Sequence, residues 1–199
     1  CRALVAAIGD KLDLDTAHGQ LRFRPSARFA ELALDIASLP VSRPSGNSSN
    51  TVILLGESLF LKGYRRLREG IHPELEMGRF LTDEVAYPNC VPVLGALEYF
   101  GHDGQVMTLA MVQSQLGNQG DGWAFTLDYL ERHLEGVRTG VALQHDRAGI
   151  DESHGGYLSQ IATLGRRTAE LHLALARTTG HAAFDPEPLT ADAMAALRT

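Results

Sequence analysis

The fold is most tightly constrained by a predicted β-hairpin, which a predicted helix follows at once. Thr51–Leu55 is a β-branched and apolar run of strand length, and residues 59–64 are a second predicted strand. Between them, Gly56, Glu57 and Ser58 supply the small and polar residues that are typical of a turn. The two strands are therefore expected to pair as a hairpin.

Lys62 occupies an unusual place within the second strand. Because strand side chains alternate between two faces, Lys62 shares a face with Phe60 and Tyr64. The chain has 18 basic residues, of which Lys11 and Lys62 are the two lysines. An ordinary surface cation in so arginine-rich a chain is expected to be arginine, so Lys62 predicts a specific role.

The helix after the hairpin supplies two candidate partners for Lys62. Pro73 suits the first helical position, where its missing N–H costs no hydrogen bond. Apolar residues follow at helical spacing: Met77, Phe80, Leu81 and Val85. Glu74 and Glu76 lie in the first turns, and either can turn inward toward Lys62. We favour Glu76, because it lies one helical turn before Phe80.

A strand lysine that pairs with a glutamate on the next helix has a known chemical use. In kinase-like folds this pair holds the lysine that grips nucleotide phosphates. The same residues also fit a surface lysine on an edge strand, with two glutamates that complement the positive end of the helix. The spacing alone leaves both interpretations open.

The polar segment before the hairpin is a candidate phosphate loop. Ser48, Ser49, Asn50 and Thr51 can offer backbone N–H groups and hydroxyls to an anion. The segment lacks both the Walker pattern G-x-x-x-x-G-K-[ST] and the kinase pattern G-x-G-x-x-G. An ordinary polar turn fits its composition equally well.

Two further strands are predicted at residues 91–100 and 105–116. The second strand ends at Gln113, Ser114 and Gln115, just before the periodicity of the sequence changes. In a kinase-like fold this is the position of the hinge, whose backbone groups contact adenine. These three residues are therefore candidates for a nucleotide contact.

From residue 117 onward the apolar residues recur with a helical period. Asp121 is a credible N-cap, and the apolar stripe after it comprises Trp123, Leu127, Leu130, Leu134 and Val137. A polar loop is predicted at 138–156 and a long helix at about 157–178. Four residues of the loop carry groups that can bind metals: His145, Asp146, Asp151 and His154. Their spacing matches no ligand pattern, so we expect a solvated loop.

The first third of the chain shows no pattern of chemical residues. Residues 1–8 are typical of the end of a helix, 9–19 of a polar connection and 20–24 of a half-buried strand. Residues 28–37 suit a short helix or a strand, and the pattern does not separate the two.

Composition excludes several classes of protein. A chain of 199 residues with 44% hydrophobic residues is long enough for one or two domains with a real core. A net charge of -6 without long charged runs argues against nucleic acid and an anionic membrane as partners. Cys1 and Cys90 form no metal or redox spacing, and no signal-like start is visible, so a cytoplasmic location is expected. Because the first residue is Cys, we expect a piece of a longer protein.

Four segments resemble one known family in their order and spacing. They are SSNT before the hairpin, LFLKGYRRLREGIHPELEMGRFL through it, and then NQGDGWAFTLDYL and LGRRTAELHLALA. These segments resemble the maltokinases, especially the form fused to the C-terminus of trehalose synthase. The resemblance implies an α+β fold of the protein-kinase-like, aminoglycoside-phosphotransferase-like type. It implies a cap subdomain at 1–38, an antiparallel nucleotide-binding N-lobe at 39–116 and the first helices of an α-helical C-lobe at 117–199.

The resemblance also implies a function. It implies that ATP, with Mg²⁺, phosphorylates maltose to maltose 1-phosphate, and that a trehalose synthase domain is fused or associated. The residues expected to contact the nucleotide are Lys62, Glu76, Glu74, Ser48, Ser49, Asn50, Thr51, Gln113, Ser114 and Gln115. In the family the catalytic carboxylate and the magnesium-binding Asp lie beyond the helix that contains His172. We therefore expect no catalytic residue, no metal ligand and no turnover from this chain alone.

Two alternatives to a maltokinase stay open. One is another phosphotransferase of the same superfamily, acting on an aminoglycoside, choline or a different sugar. The other is a non-catalytic, kinase-like scaffold module of a trehalose synthase.

Overall fold

The computed structural model describes residues 1–44, 48–118, 120–140 and 147–196, with the backbone alone at 147–153 and 193. The helices are α1 Arg2–Gly9, α2 Pro73–Arg79, α3 Gly122–Arg138, α4 Arg147–Leu175 and α5 Ala191–Ala196. The strands are β1 Asp13–Thr16, β2 Gly19–Pro25, β3 Val41–Ser42, β4 Thr51–Leu55, β5 Leu59–Gly63, β6 Val93–Gly101 and β7 Val106–Ser114. A short 3-10 helix spans Ala27–Glu31, and a π-helical turn at Phe80–Glu84 continues α2.

Within the described ranges, seven strands form one antiparallel sheet in the order β1-β2-β6-β7-β5-β4-β3. The predicted hairpin is confirmed: β4 and β5 pair from Thr51 opposite Gly63 to Leu55 opposite Leu59. Gly56 begins the turn with a φ of +60°, a left-handed conformation that favours glycine. The expectation of a polar connection at 9–19 is wrong for β1, whose four side chains are all exposed. Its backbone nevertheless pairs with β2.

One face of the sheet carries the main apolar core. Helix α1 packs on this face through Val5 and Ile8, both fully buried. The strands contribute Phe23, Ile53, Leu55, Leu59, Leu61, Leu94, Leu97, Ala110 and Val112. The period-two alternation of β5 sends Leu59 and Leu61 into this core, and it therefore sends Lys62 to the opposite face.

Helix α2 packs against the opposite face of the sheet. There Leu75 joins Tyr64, Val93, Ala96 and Met111 in a smaller buried cluster. The expectation that Met77 belongs to the buried stripe is wrong, since Met77 is exposed and Leu75 is the buried residue of α2. The π-helical turn winds more residues per turn than an α-helix, so it changes which side chains face inward and buries Phe80 and Leu81.

Over the described residues the chain divides into two compact units. The sheet unit is Cys1–Leu116 with Ala174–Thr199, and the helical unit is Gly117–Leu173. Strands β1 and β2 lie in the same sheet as β3 to β7. The division into residues 1–38, 39–116 and 117–199 stays a prediction.

The helical unit consists of α3 and most of α4. The predicted N-cap is confirmed, because Asp121 Oδ1 accepts a hydrogen bond of 2.7 Å from the N–H of Ala124. Tyr129 stacks on Tyr157 with ring centroids 3.9 Å apart, and its hydroxyl lies 2.6 Å from His154 Nδ1.

The loop expected at 138–156 is wrong from Arg147 onward, because α4 begins there. His145 and Asp146 lie outside the described residues, as does the side chain of Asp151. Along the described ranges, no helix combines the length and the apolar character that crossing a bilayer requires.

Candidate functional site

Lys62 and Glu74 form an ion pair between β5 and α2. The Lys62 ammonium lies 2.8 Å from Glu74 Oε1 and 2.7 Å from Oε2. The side chains are 21% and 34% exposed, so the pair is shielded from solvent but still accessible. Our preference for Glu76 is wrong. Two residues along an α-helix turn the side-chain direction by about 200°, so Glu76 points away from the direction that Glu74 takes toward the strand.

The start of α2 is fixed by the residues beside this pair. His72 is the N-cap, and its Nδ1 accepts a hydrogen bond of 3.2 Å from the N–H of Glu74. The N–H of His72 donates to Thr108 Oγ1 on β7 at 2.9 Å. Pro73 occupies the first helical position, as predicted. The first turn of α2 is therefore tied to the sheet, and Glu74 is aimed at Lys62.

Tyr64 also holds Glu74 in place. Its hydroxyl donates to Glu74 Oε2 at 3.1 Å, and its ring stacks on His72 with centroids 4.0 Å apart. Burial, together with the charge of Glu74, raises the pKa of Tyr64 far above its ordinary value. The phenol therefore stays protonated and keeps its role as a donor to the carboxylate.

A second ion pair anchors the other end of α2. Arg79 donates to both carboxylate oxygens of Glu98 on β6, at 3.2 and 2.8 Å. Glu98 is almost completely buried, whereas the Arg79 side chain is one-third exposed. We did not predict this pair from the sequence. The available signal was a single charged residue, Glu98, inside the otherwise uncharged strand VLGALEYFG.

The candidate phosphate loop is organised by Arg65. Its guanidinium donates to the backbone carbonyl of Ser49 at 3.1 Å, to that of Asn50 at 3.2 Å, and also to that of Ser48. The N–H of Asn50 donates to Ser48 Oγ at 3.2 Å. Ser48, Asn50 and Thr51 line a cleft of about 260 Å³. Arg65 was not predicted, because the sequence does not indicate which of Arg65, Arg66 and Arg68 contacts the loop.

The candidate hinge residues lie beside the first half of β5. Gln113 is opposite Phe60, and Ser114 is opposite Leu59. The N–H of Gln115 donates to the carbonyl of Ser58 at 2.7 Å. Because directly opposed residues share a face, Gln113 lies on the same face as Phe60 and Lys62.

These positions fall in a fixed order along one face of the sheet. Phe60 and the candidate hinge come first, Lys62 follows two residues later at about 6.6 Å, and Gly63 then lies opposite Thr51 at the candidate loop. Val52 and Leu54 on β4 are half-buried beside them. The structure thus brings Lys62 and Glu74 into contact and sets the other candidates on either side. Glu76 lies outside this arrangement.

The described ranges contain His, Cys, Asp and Glu side chains, which are able to bind metal ions. There, no group of three or more His, Cys, Asp and Glu side chains is placed to hold a metal ion.

No protein-family model matches the chain. Its fold is similar to that of a solved structure of a glucosamine kinase, crystal form B, with a TM-score of 0.52. The chain has a kinase-like fold. The match covers 98% of this chain and 51% of the glucosamine kinase chain at 22% sequence identity. The chain thus spans about half the length of that structure, and the kinase-like part of the fold prediction is confirmed.

Proposed function

We propose that this chain forms the nucleotide-binding part of an ATP-dependent sugar kinase. The observation that carries the proposal is the bidentate contact between Lys62 on β5 and Glu74 on α2. A lysine held in this way keeps its ammonium at a fixed position, where it can bind phosphate oxygens. Without the carboxylate, the flexible side chain would have to be ordered when the nucleotide binds.

The rest of the sheet face suits the other parts of ATP. Val52, Leu54 and Phe60 give a half-buried apolar surface for the adenine ring. The backbone of Gln113, Ser114 and Gln115 lies at its edge and would meet the polar edge of the base. The Ser48–Thr51 segment lies toward the far end of β5, beyond Lys62, where it would face the phosphates. Mg²⁺, when bound, would neutralise phosphate charge, and its ligands would lie outside the described residues.

Maltose is the acceptor that the family resemblance favours, with maltose 1-phosphate as the product. A second candidate acceptor is glucosamine, because the structurally similar protein is a glucosamine kinase. Either reaction would join the γ-phosphoryl group of ATP to a sugar hydroxyl and release ADP. The hydroxyl proton would pass to a base outside the described residues.

The first experiment measures ATP binding by this chain and by its Lys62→Met variant. We expect weak, saturable binding that falls about tenfold or more in the variant, because a charge-assisted contact to phosphate is lost. Lys11→Met is the matched control, since it removes the other lysine from an exposed position. Equal ATP affinity in all three proteins would overturn the assignment of Lys62.

The second experiment measures ATP-dependent phosphorylation with maltose, glucosamine, kanamycin and choline as separate acceptors. It compares this chain with a longer protein that carries the same sequence. Turnover of maltose by the longer protein alone supports the maltokinase proposal. Turnover of another acceptor would identify that compound, instead of maltose, as the substrate. The absence of turnover with all four acceptors would favour the scaffold module.

A further inference from the structure

A group of basic residues lies in the segment that joins β5 to α2. Arg65, Arg66 and Arg68 are all exposed there, and Glu69 is the acidic residue of the segment. They lie beside a cleft of about 970 Å³, which is large enough for a small metabolite. The chain as a whole carries a net charge of -6, so this basic segment is opposite in sign to the net charge of the chain.

The basic segment is held at both ends by the same strand. The N–H of Tyr64 donates to the carbonyl of Leu109 at 2.9 Å, and the N–H of Gly70 donates to that of Val106 at 2.6 Å. Gly70 has a φ of +95°, which allows the chain to turn back onto β7. A loop closed in this way presents its side chains with less conformational freedom than an open linker.

The three arginines differ in their contacts. Arg65 donates hydrogen bonds to the backbone carbonyls of residues 48–50, as described above. Arg66 and Arg68 form no hydrogen bond or ion pair with any residue that the structure describes. Each therefore keeps a planar fork of N–H donors, a geometry that matches phosphate oxygens.

His72 adds a third donor to the same cleft. Its Nδ1 accepts the hydrogen bond from the N–H of Glu74, so the neutral ring carries its proton on Nε2. His72, Arg66 and Arg68 all line the cleft, together with the hydroxyl residues Ser49 and Thr108. The donors outnumber the single carboxylate, Glu69, that lines the cleft.

We propose that this cleft binds the phosphate group of a small phosphorylated molecule through Arg66, Arg68 and His72 rather than through Lys62. The cleft borders the candidate phosphate loop, because Ser48, Ser49 and Asn50 also line it. The concave shape and limited volume favour a small molecule over a polyanionic chain, and the net negative charge of the protein would repel a polyanion. Arg66 and Arg68 bind the phosphate oxygens, and His72 Nε2 donates a further hydrogen bond. The site goes beyond the proposed kinase function, although the two share the 48–50 segment.

The test is isothermal titration calorimetry, in which this chain is titrated separately with glucose 1-phosphate, inorganic phosphate and glucose. We expect both phosphates to bind saturably and glucose to show no binding. Affinity should fall when salt is raised, since the contacts are ionic. Tighter binding of glucose 1-phosphate than of phosphate assigns part of the recognition to the sugar, and equal binding assigns it to the phosphate group.

The decisive variant is the double substitution Arg66→Gln and Arg68→Gln. It should weaken phosphate binding by about tenfold or more, because two charge-assisted contacts are lost, and it should leave the circular dichroism spectrum unchanged. The matched control is Arg132→Gln with Arg166→Gln, two exposed arginines of the helical unit, which should bind like the parent.

Lys62→Met separates this site from the proposed nucleotide site. It should lose ATP affinity and keep glucose 1-phosphate affinity. Three results would overturn the proposal: no saturable phosphate binding, equal losses in the Arg66/Arg68 and Arg132/Arg166 variants, or a loss confined to Lys62→Met. The last result would assign the phosphate to the nucleotide site instead.

Discussion

The sheet unit and the helical unit use their apolar residues in opposite ways. In the sheet unit the leucines that face α1 are buried in the main core, and Leu55 and Leu59 are 0% exposed. In the helical unit the predicted stripe of α3 lies at the surface, with Trp123 73% and Leu134 64% exposed. A periodic apolar pattern therefore marks a buried core in the sheet unit and an exposed face in the helical unit.

The difference shows what periodicity can and cannot establish. A strand in the middle of a sheet has neighbours on both sides, so its apolar face is covered as soon as α1 and α2 pack on the sheet. A helix pair covers only the side chains that lie between its two helices. Large exposed apolar surfaces are typical of contact regions. Because the large apolar side chains of α3 are exposed rather than buried, the helical unit should be the less stable of the two units within this chain.

The largest expected effect comes from removing one leucine in each unit. Leu59→Ala should lower the free energy of unfolding by about 2–5 kcal/mol, because it leaves a cavity in the main core. Leu134→Ala should change it by less than about 0.5 kcal/mol, because that side chain is mostly solvated. Urea unfolding followed by circular dichroism measures both, and similar losses in the two variants would contradict the comparison.

Ion pairs allow the same comparison at smaller magnitude. Arg79→Met should cost about 2–4 kcal/mol, because it leaves the buried Glu98 carboxylate without its partner. Arg138→Met in the helical unit should cost less than about 0.5 kcal/mol, since Arg138 and Glu135 are both exposed. Thermal unfolding of the two variants tests the contrast, which fails if Arg138→Met is the more damaging change.

Lys62→Met should have an intermediate effect on stability. The pair with Glu74 is partly exposed, so its loss should cost about 1–2 kcal/mol rather than the larger cost of a fully buried pair. Tyr64 remains as a donor to Glu74 and limits the damage. Lys11→Met should be close to neutral in the same urea titration. A neutral Lys62→Met would mean that the pair contributes nothing to folding.

The smallest effect concerns acid stability. Asp185 accepts hydrogen bonds from the N–H groups of Thr179 and Gly180, which lower its pKa below the ordinary value. A lowered pKa adds stability above the unfolded-state pKa of about 3.9, and this stability is lost as the pH falls through the lower folded-state pKa. Asp185→Asn should therefore flatten the loss of stability below about pH 4. Asp128→Asn on α3 is the control, and an identical acid profile for both variants would contradict the role of Asp185.

Local rules predict the elements that local contacts determine. The hairpin, the first helical position of Pro73 and the N-cap role of Asp121 follow from residues within a few positions of one another, and all three are confirmed. The kinase-like fold required more than these rules. It followed from the resemblance of whole segments and was confirmed by the similarity to a glucosamine kinase structure.

Contacts between distant residues were harder to predict. The choice between Glu74 and Glu76 depends on how α2 rotates about its axis, and His72 and Thr108 set that rotation from outside the helix. The Arg79–Glu98 pair joins residues on different elements. The exposed stripe of α3 could not be foreseen, because a helical period reports which side chains share a face and not what covers that face.

The register of the hairpin determines which face of the sheet carries Lys62, because side chains alternate between the two faces along a strand. A slip of one residue between β5 and its neighbours would place the ammonium where Leu61 now lies and would move the leucines to the opposite face. Deletions within β5 should therefore be tolerated only in pairs. The left-handed turn at Gly56 fixes the register of the hairpin, so this turn residue helps to determine on which side of the sheet the lysine lies.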